Sequence, residues 1–261
     1  MNLEYPARAL KRNASGQAAE TPQLDGRTVP ASHLFRWLRA GALAALAQPM
    51  VWMACLALCA ALLMLFKALP LLRPLAALAA PLIAGALMYA LDRQRNGEPV
   101  ELADIARAVY AKANPLLAIG LMSGAIVAIG YVIMIATLNL SLLASIMTTG
   151  MRAVSISYGG DDGLRGMLES LVSAPILTIA VGAAWFAPAL VMLHDVAPFE
   201  AMKASLNGAA RNWGASAVWL VVLTGAALLA PTVPLLASAL VLTPLMLLSI
   251  YDGYRDVFVK R

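Results

Sequence analysis

The sequence predicts an all-α membrane protein: a polytopic bundle of six transmembrane helices, built as three parallel repeats of an interfacial helix and a hairpin. Three observations predict this class. Of the 261 residues, 61% are hydrophobic and only 13% are charged, whereas about 25% of the residues of a soluble domain are charged. Six apolar stretches have the length of a membrane span. A short segment that begins with proline precedes each pair of them.

The composition also excludes several classes of protein. The mean hydropathy is +0.78, and a chain this apolar cannot cover its surface with polar groups when water surrounds it. We therefore exclude a soluble enzyme, a nucleic-acid-binding protein and a secreted disulfide scaffold. The net charge is +5, and in a membrane protein an excess of Lys and Arg is typical of cytoplasmic loops.

A helix needs about 20 apolar residues to cross the hydrocarbon core, because all its backbone groups must be hydrogen-bonded internally. Six stretches meet this requirement: residues 49–69, 70–91, 115–138, 173–193, 214–230 and 232–250. Residues 139–157 are also partly apolar, but they include six Ser or Thr residues and an Arg. We expect them to form a helix on the outer surface, and a seventh span is the alternative.

The distribution of Lys and Arg predicts which span ends face the cytoplasm. With the N-terminus inside, fifteen of these residues lie in inner segments and four in outer ones. Because positively charged loops stay on the cytoplasmic side, we expect both termini to be cytoplasmic, in a bacterial inner membrane. Residues 1–29 are polar and are predicted to be a disordered cytoplasmic tail. A single membrane domain is expected over residues 30–261.

Three similar units divide this domain. Their approximate bounds are residues 30–98, 99–197 and 198–261. Each unit opens with a short segment that begins with a proline: Pro30, Pro99 or Pro198. The segment ends near a residue with a side-chain amide: Gln48, Asn114 or Asn212. Proline in first position, an acidic first turn and a basic last turn are typical of a stable helix. We expect three short helices at the inner membrane boundary.

The even-numbered spans also resemble one another. Each contains a proline and ends at an aspartate, the prolines being Pro81, Pro188 and Pro244 and the aspartates Asp92, Asp195 and Asp252. The prolines are expected to kink their helices. Residues 254–258 are predicted to be a truncated fourth short helix. Because all units have the same direction, they are parallel repeats about the membrane normal.

The short helices are predicted to be amphipathic. The third has a polar stripe of Glu200, Lys203, Asn207 and Arg211 opposite an apolar side of Phe199, Met202, Leu206 and Ala210. In the second, the apolar face consists of Leu102, Ile105 and Val109. In the first, Leu34, Phe35, Trp37 and Leu38 are expected to face apolar surroundings, while Arg36 and Arg39 face lipid phosphate.

No motif in the sequence carries a reaction, so we predict no enzyme, no cofactor and no metal site. His194 and Asp195 are either a proton-handling pair or, as is commoner at a membrane boundary, interfacial anchors. The candidate functional or interfacial residues are the charged and titratable ones near the inner boundary: His194, Asp195, Glu200, Lys203, Arg211, Glu101, Asp104, Arg36 and Arg39. Gly120 and Gly124 are predicted to pack helices closely.

Three stretches resemble an uncharacterised family of six-span proteobacterial inner-membrane proteins. They are residues 185–191 (WFAPALV), 198–205 (PFEAMKAS) and 251–258 (YDGYRDVF). More distantly, the repeated short helix and hairpin look like the membrane domain attached to some glycerophosphodiester phosphodiesterases. The resemblance covers about residues 30–258 and implies a six-span fold. It implies no catalytic residue, because those enzymes keep their acidic and metal-binding residues in a separate domain.

The sequence therefore predicts a non-enzymatic scaffold, assembly or envelope-maintenance protein, because three basic short helices face the cytoplasm and no reaction motif is found. The alternative is a passive permease or a lipid-handling protein, since proline kinks open space within a bundle. The expected partners are the lipid bilayer and, as a further option, another membrane protein. No nucleic acid is expected, and the sequence does not support a homo-oligomer.

Overall fold

The computed structural model describes residues 22–50, 52–54, 57, 61, 73–149, 175–219, 221 and 243–259. Every regular element in these ranges is a helix, which confirms the predicted all-α class. The main helices are α1 (His33–Ala47), α2 (Arg73–Arg95), α3 (Leu102–Ala111), α4 (Ala113–Thr149), α5 (Ala187–His194), α6 (Pro198–Arg211) and α7 (Thr243–Phe258). Residues 175–185 and 213–219 are also helical.

Two segments of the described chain are long and apolar enough to cross a membrane. One is Ala113–Gly130, within α4. The other is Pro175–His194, which combines residues 175–185 with α5. Their mean hydropathies are 1.7 and 2.2. They overlap the third and fourth predicted spans, and the crossing of the membrane by all six stretches stays a prediction.

The helix α4 is longer than the span predicted within it. It has 37 residues and is therefore about 55 Å long, well beyond a hydrocarbon core of about 30 Å. The helix does not end at residue 138, where the predicted span ends, and residues 139–149 continue α4 instead of starting a separate surface helix. Polar side chains do not end a helix by themselves, and this stretch has no Pro or Gly to do so. Residues 150–157 lie outside the described ranges.

One residue separates each short helix from the helical segment that follows. These residues are Gln48, Lys112 and Asn212. Their carbonyl oxygens accept hydrogen bonds from the amides four positions on, those of Trp52, Leu116 and Ser216, at 3.2, 3.1 and 2.9 Å. The next helix therefore starts without a loop in all three places. The second junction lies at Lys112, two residues before Asn114, which the sequence predicts to close the second short segment.

The starts of the short helices agree with the prediction only in part. The helix α6 begins at Pro198, with Glu200 in its first turn and Arg211 in its last, as predicted. The helix α3 begins later than predicted, at Leu102, because the backbone of Glu101 is extended (φ −108°, ψ 136°). Pro99 therefore lies before that helix, and α1 likewise begins three residues after its proline.

The helix α7 continues without interruption to Phe258. The truncated fourth helix expected at residues 254–258 is therefore its final part. Asp92 and Asp252, at which the second and sixth spans are predicted to end, lie inside α2 and α7, so both helices continue beyond them. Asp195 does end α5, and its backbone is left-handed with φ 58°.

The three span prolines occupy different positions. Pro81 lies inside the continuous helix α2. Pro188 lies in the first turn of α5, just after the interruption of the helix at Phe186. Pro244 is the second residue of α7 as described. Pro188 is thus associated with an actual break, as predicted.

The break at Phe186 has a second cause, which lies in α6. The hydroxyl of Ser205 accepts a hydrogen bond from the Phe186 amide at 2.9 Å and donates one to the Gly182 carbonyl at 2.7 Å. In a regular helix these two backbone groups, four residues apart, would bond to each other. The fully buried Ser205 is inserted between them, and such an insertion bends a helix.

Each short helix packs against another described helix. The helix α3 contacts α2, α6 contacts α5, and α1 contacts α7. Two of the short helices therefore lie against the helix that precedes them in the chain, whereas α1 lies against the last described helix. At the centre, α2 contacts both α5 and α7. Their shared core includes Leu87, Met88, Leu91, Leu190, Val191, Leu248 and Tyr254.

The buried faces of the short helices differ from the predicted apolar faces. On α6 Met202 is buried as predicted, but Phe199 is 66% exposed and Ala210 is also exposed. Small residues form most of the buried face instead: Ala201, Ala204, Ser205 and Gly208. On α3 Ile105 is buried and Leu102 is exposed, while on α1 Leu34 and Trp37 are buried and Phe35 is exposed. On α6, close approach to the neighbouring helix thus selects small side chains over large apolar ones.

Residues 22–29, which we call the N-terminal strap, lie against α7. This corrects the domain boundary expected at residue 30. The amides of Gln23 and Arg27 donate hydrogen bonds to the carbonyls of Phe258 and Val257, both at 2.8 Å. Gly26 has φ +66°, and a Cβ there would lie 3.3 Å from the Cα of Gly208. Residues 1–21 of the predicted tail lie outside the described ranges.

Candidate functional site

A buried carboxylate, that of Asp256, joins the first and last helices of the chain. It lies in the last turn of α7, and its side chain is only 3% exposed. His33, Arg36 and Trp37 of α1 are three and four residues apart, which places them on the helix face that meets α7. Gly253 lets the Trp37 ring come close, because a Cβ there would lie 3.2 Å from the ring.

Four side chains contact this carboxylate, and we call the five residues the Asp256 cluster. Its Oδ2 accepts hydrogen bonds from Arg36 Nη2 at 2.5 Å and from Trp37 Nε1 at 3.0 Å. The same oxygen lies 2.7 Å from His33 Nδ1. His33 Nδ1 also lies 2.8 Å from Arg36 Nη2, and its hydrogen-bonding role depends on the tautomer. Arg27 Nη2 lies 3.3 Å from Oδ1.

These donors determine the charge of Asp256. Burial by itself would raise the pKa of the carboxyl group, because an apolar environment disfavours the charged form. The hydrogen bonds from Trp37, His33 and Arg36, together with the charge of Arg36, outweigh burial and hold the pKa of Asp256 below its ordinary value. The carboxylate is therefore ionised at neutral pH.

Arg27 also closes the C-terminal end of α7. Its Nε and Nη2 atoms donate to the Asp256 backbone oxygen at 3.0 and 2.5 Å. The last carbonyls of a helix lack partners within the helix and carry partial negative charge, so a cation and the strap amides complement them. Asn212 holds the strap from its other side. Its Oδ1 accepts from the Val29 amide at 2.6 Å, and its Nδ2 donates to the Arg27 carbonyl at 2.8 Å.

Two polar contacts join α2 to α7. The Tyr251 hydroxyl donates to Asp92 Oδ1 at 2.7 Å, and Arg95 Nη1 lies 3.2 Å from Asp252 Oδ1. Tyr251 is 2% exposed, and burial together with the neighbouring charge of Asp92 raises the pKa of its phenol. The phenol therefore remains protonated and can donate. Asp92 and Asp252, the two aspartates at predicted span ends, thus both join α2 to α7.

The predicted candidates on α3 and α5 also take part in contacts between elements. Asp195 forms an ion pair with Lys112, at the junction of α3 and α4. Asp104 pairs with Arg107 of its own helix and lies 3.4 Å from Arg93 of α2. The His194 ring lies 6.0 Å from that of Tyr254, measured between centroids. Glu101 is exposed at the N-cap of α3.

The remaining predicted candidates have different surroundings. Glu200 and Lys203 are exposed on α6, and Arg39 is exposed on α1. Arg211 donates to the Gly26 carbonyl at 3.3 Å and so contacts the strap. Arg36 binds Asp256, although the sequence indicates that it faces lipid phosphate. The sequence of α1 alone does not show that the buried carboxylate of Asp256 lies close to Arg36.

Three glycines of α4, Gly120, Gly124 and Gly130, have different surroundings. Gly120 is buried, but a Cβ added at Gly124 would meet no atom within 4 Å. At Gly130, in contrast, a Cβ would collide with the side chain of Ile176. Gly130 therefore brings α4 close to residues 175–185, whereas Gly124 faces open space in the described chain.

Three tryptophans surround a small cavity next to the Asp256 cluster. The rings of Trp185 and Trp219 meet edge to face, with centroids 4.5 Å apart. Trp37 completes the aromatic wall, and Asn212 and Ser216 supply polar groups. The cavity has a volume of about 10 Å³, which is room for about one water molecule.

The contacts described above hold helices together. Within the described ranges, no three His, Cys, Asp or Glu side chains come together in a way that could hold a metal ion. The Asp256 cluster combines one fixed anion with two Arg side chains that are 37% and 42% exposed. Chemically, this arrangement can fix helix positions and present cations at the surface.

Sequence reasoning missed two residues that organise this end of the molecule, Asp256 and Ser205, and noted Asn212 only as the amide that closes the third short segment. Asp256 is an acid next to an apolar run (Val257 to Val259), which is a local signal of a buried, paired charge. Its partner Arg36 is 220 positions away, so the sequence cannot identify the pair. Ser205 and Asn212 give no comparable signal, because both are common residues at helix surfaces and ends.

Comparisons with known proteins add no assignment. A scan of protein-family models matches none of them, and searches of curated proteins and of solved structures return no match. The family resemblance of residues 30–258 therefore stays a prediction.

Proposed function

We propose that this chain is a non-enzymatic integral protein of a bacterial inner membrane that acts as a scaffold for the assembly or maintenance of the envelope. We further propose six spans in three parallel repeats, with both termini in the cytoplasm. The observation that carries the proposal is the use of charge: buried or half-buried charged groups join helices that are distant in sequence. A scaffold requires a surface of fixed shape, and such contacts supply it.

Membrane insertion is supported by the exposure of apolar side chains on both candidate spans. Only 22% of the window Ala113–Gly130 is buried in the protein, whereas a core helix of a soluble protein with this hydropathy would be mostly buried. On α4 Leu121 is 62% and Ile129 is 60% exposed, and Leu177 on the other span is 47% exposed. Lipid is the solvent that suits these surfaces.

The three repeats are supported by two geometric features. The junctions at Gln48, Lys112 and Asn212 share the same backbone hydrogen bond. Each short helix also lies against the second helix of the preceding unit, including the contact of α1 with α7 that closes the circle. Parallel repeats about one axis would produce this cyclic pattern.

Copurification tests the scaffold role. The tagged full-length chain is extracted from its membranes in mild detergent, and bound proteins are identified by mass spectrometry. We expect a reproducible membrane-protein partner, and we expect it to be lost from a variant that carries E200A, K203A and N207A on the exposed face of α6. The matched control is R107A on α3, whose Arg side chain is 78% exposed.

Two outcomes would contradict the proposal. One is a chain that repeatedly comes out of the membrane without any protein partner. The other is a variant with H194A, D195A and E200A that is expressed and folded normally, keeps its partner and yet loses its physiological effect. That second result would favour an enzyme.

Topology mapping tests the membrane arrangement. Single cysteines in a cysteine-free background are labelled with an impermeant thiol reagent in intact and in opened cells. Residues 30, 100 and 197 are expected to react only in opened cells, whereas residue 162 is expected to react in both. Labelling of residue 162 in opened cells alone would contradict the predicted orientation.

A permease or lipid-handling protein is the second candidate, and the break at Phe186 and Pro188 is the observation that favours it. Reconstituted vesicles provide its test. Leakage of small solutes, or accelerated lipid movement between leaflets, is expected to match that of protein-free vesicles if the scaffold proposal holds.

A further inference from the structure

The outward face of α1 carries an exposed stripe of one cation and three large apolar residues. Phe35 and Leu46 are each 74% exposed and Leu43 is 55% exposed, and Arg39 is exposed beside them. Their spacing of 4, 8 and 11 residues from Phe35 places them within about 80° around the helix and about 16 Å along it. The opposite face, with Leu34, Trp37 and Gly41, is buried, and α1 packs against α7.

The charge of this stripe is not balanced by an acid on the same segment. Residues 30–50 contain no Asp or Glu. Arg36 is bound to Asp256, so Arg39 is the cation of the outward face. The other two short helices differ, because α3 pairs Arg107 with Asp104 and α6 has Glu200 three residues before Lys203.

The position of α1 relative to the bilayer follows from its connection to the next segment. The single residue Gln48 separates α1 from helical residue 49, where the first predicted span begins. The stripe therefore lies next to the point of membrane entry. An exposed face that is apolar apart from one arginine suits the zone where lipid headgroups meet acyl chains.

We propose, on the basis of the membrane function above, that the outward face of α1 binds an anionic phospholipid of the inner leaflet. The Arg39 guanidinium contacts the headgroup phosphate, to which its planar fork can donate two hydrogen bonds. Phe35, Leu43 and Leu46 lie against the acyl chains. The negative headgroup supplies the charge that α1 itself lacks.

Lipid selectivity in reconstituted full-length protein tests this proposal. Spin-labelled phosphatidylglycerol and phosphatidylcholine are compared at the protein boundary by electron paramagnetic resonance. We expect the wild-type chain to prefer phosphatidylglycerol. We expect R39Q to lower that preference about fivefold. This factor corresponds to the attraction of about 1 kcal/mol between one basic residue and an anionic lipid surface. K203Q, on the equivalent helix α6, is the matched control and should leave the preference unchanged.

A second measurement does not depend on the stability of the R39Q variant. In a chain with C55A and C59A, a nitroxide is attached at L46C or at K203C. At residue 46 collisions with oxygen should exceed those with a water-soluble nickel chelate, and at residue 203 the order should be reversed. Protection of residue 46 from both reagents would indicate a protein partner on this face and overturn the proposal.

The failure of this inference is distinguishable from failure of the proposed function. A chain that alkaline carbonate removes from the vesicles would disprove membrane integration itself. A chain that stays in the membrane while R39Q keeps the full wild-type preference would disprove only the lipid contact of α1.

Discussion

Asp256 illustrates how a single buried charge can organise both ends of a chain. Transferring a carboxylate into a protein interior is costly unless it is paired and hydrogen-bonded. Here its contacts come from the strap and from α1, and one residue thus couples segments more than 200 positions apart. Because the Arg side chains of the cluster remain partly exposed, they keep part of their hydration.

Replacing this carboxylate is expected to destabilise the protein. D256N should lower the free energy of unfolding by about 2 kcal/mol, since hydrogen bonds to a charged group contribute about 1.5–3 kcal/mol each and the cations left behind can be hydrated. For a chain of this size, the melting temperature in detergent should fall by roughly 5 °C. The matched control is D252N, whose partner Arg95 is 43% exposed, and it should cost less than about 1 kcal/mol. Equal effects of the two variants would contradict the role given to Asp256.

The same carboxylate predicts a dependence of stability on acid pH. The pKa of Asp256 is lower in the folded protein than the ordinary value of 3.8, so the unfolded chain binds more protons between these two values. Its stabilising contribution is therefore complete above the ordinary pKa and is lost as pH falls through the folded pKa. Melting curves of wild-type protein and D256N should differ by a constant amount at pH 5–7 and converge below about pH 4. A constant difference down to pH 2.5 would contradict this prediction.

At the scale of elements, the bent segment 175–194 depends on a side chain of another helix. The Ser205 hydroxyl occupies the position of a backbone hydrogen bond between Gly182 and Phe186. Pro188 contributes no amide, so the regular bonding pattern is already weakened there. The bend therefore results from local sequence and tertiary packing together.

Removal of that hydroxyl is expected to be costly. S205A should lower the free energy of unfolding by about 1–3 kcal/mol, because a buried amide and a buried carbonyl lose their partner. S216A is the control, since its hydroxyl donates one bond to the Ala209 carbonyl at 3.1 Å in a half-buried position. It should cost less than about 1 kcal/mol. If S205A melted like wild type, the hydroxyl would not be needed to hold the bend.

Two glycines of α4 should respond oppositely to alanine. G130A introduces a methyl group against Ile176, and such overpacking costs about 1–3 kcal/mol. G124A places its methyl group in open space and should leave stability unchanged or raise it by about 0.5–1 kcal/mol, because glycine weakens a helix interior. Thermal unfolding of the two variants in one detergent measures the difference. A loss of stability in G124A larger than in G130A would contradict the packing described here.

At the scale of the whole molecule, the strap and α1 connect the two ends of the chain. The strap supplies partners for the last carbonyls of α7, and α1 covers the same helix. The beginning and the end of the described chain therefore meet at α7.

Truncation tests the contribution of the strap. Deletion of residues 2–21 leaves the strap in place and should not change the melting temperature. Deletion of residues 2–29 removes Arg27 and the strap amides and should lower it by several degrees, in line with about 2 kcal/mol for the lost charged hydrogen bonds. Equal melting temperatures for the two deletions would show that the strap does not stabilise the bundle.

The sequence by itself determined the helical class, the bounds of α6 and the location of two candidate spans. These features depend on local composition: apolar length, a proline at the first turn, and charges that suit the helix ends. On α6 the neighbouring helices cover small residues and leave Phe199 exposed, because composition does not show which face a neighbour will cover. The length of α4 was underestimated because polarity was taken as a helix end where no helix-breaking residue exists.

Only the tertiary structure decided which charges meet. Asp256 with His33 and Arg36, Asp92 with Tyr251, and the insertion of Ser205 between Gly182 and Phe186 all join residues far apart in the chain. An ion pair or a buried hydrogen bond depends on distances of about 3 Å, and these distances arise when helices pack. Sequence spacing specifies which side chains share a helix face, whereas the partner of that face is specified by the complete bundle.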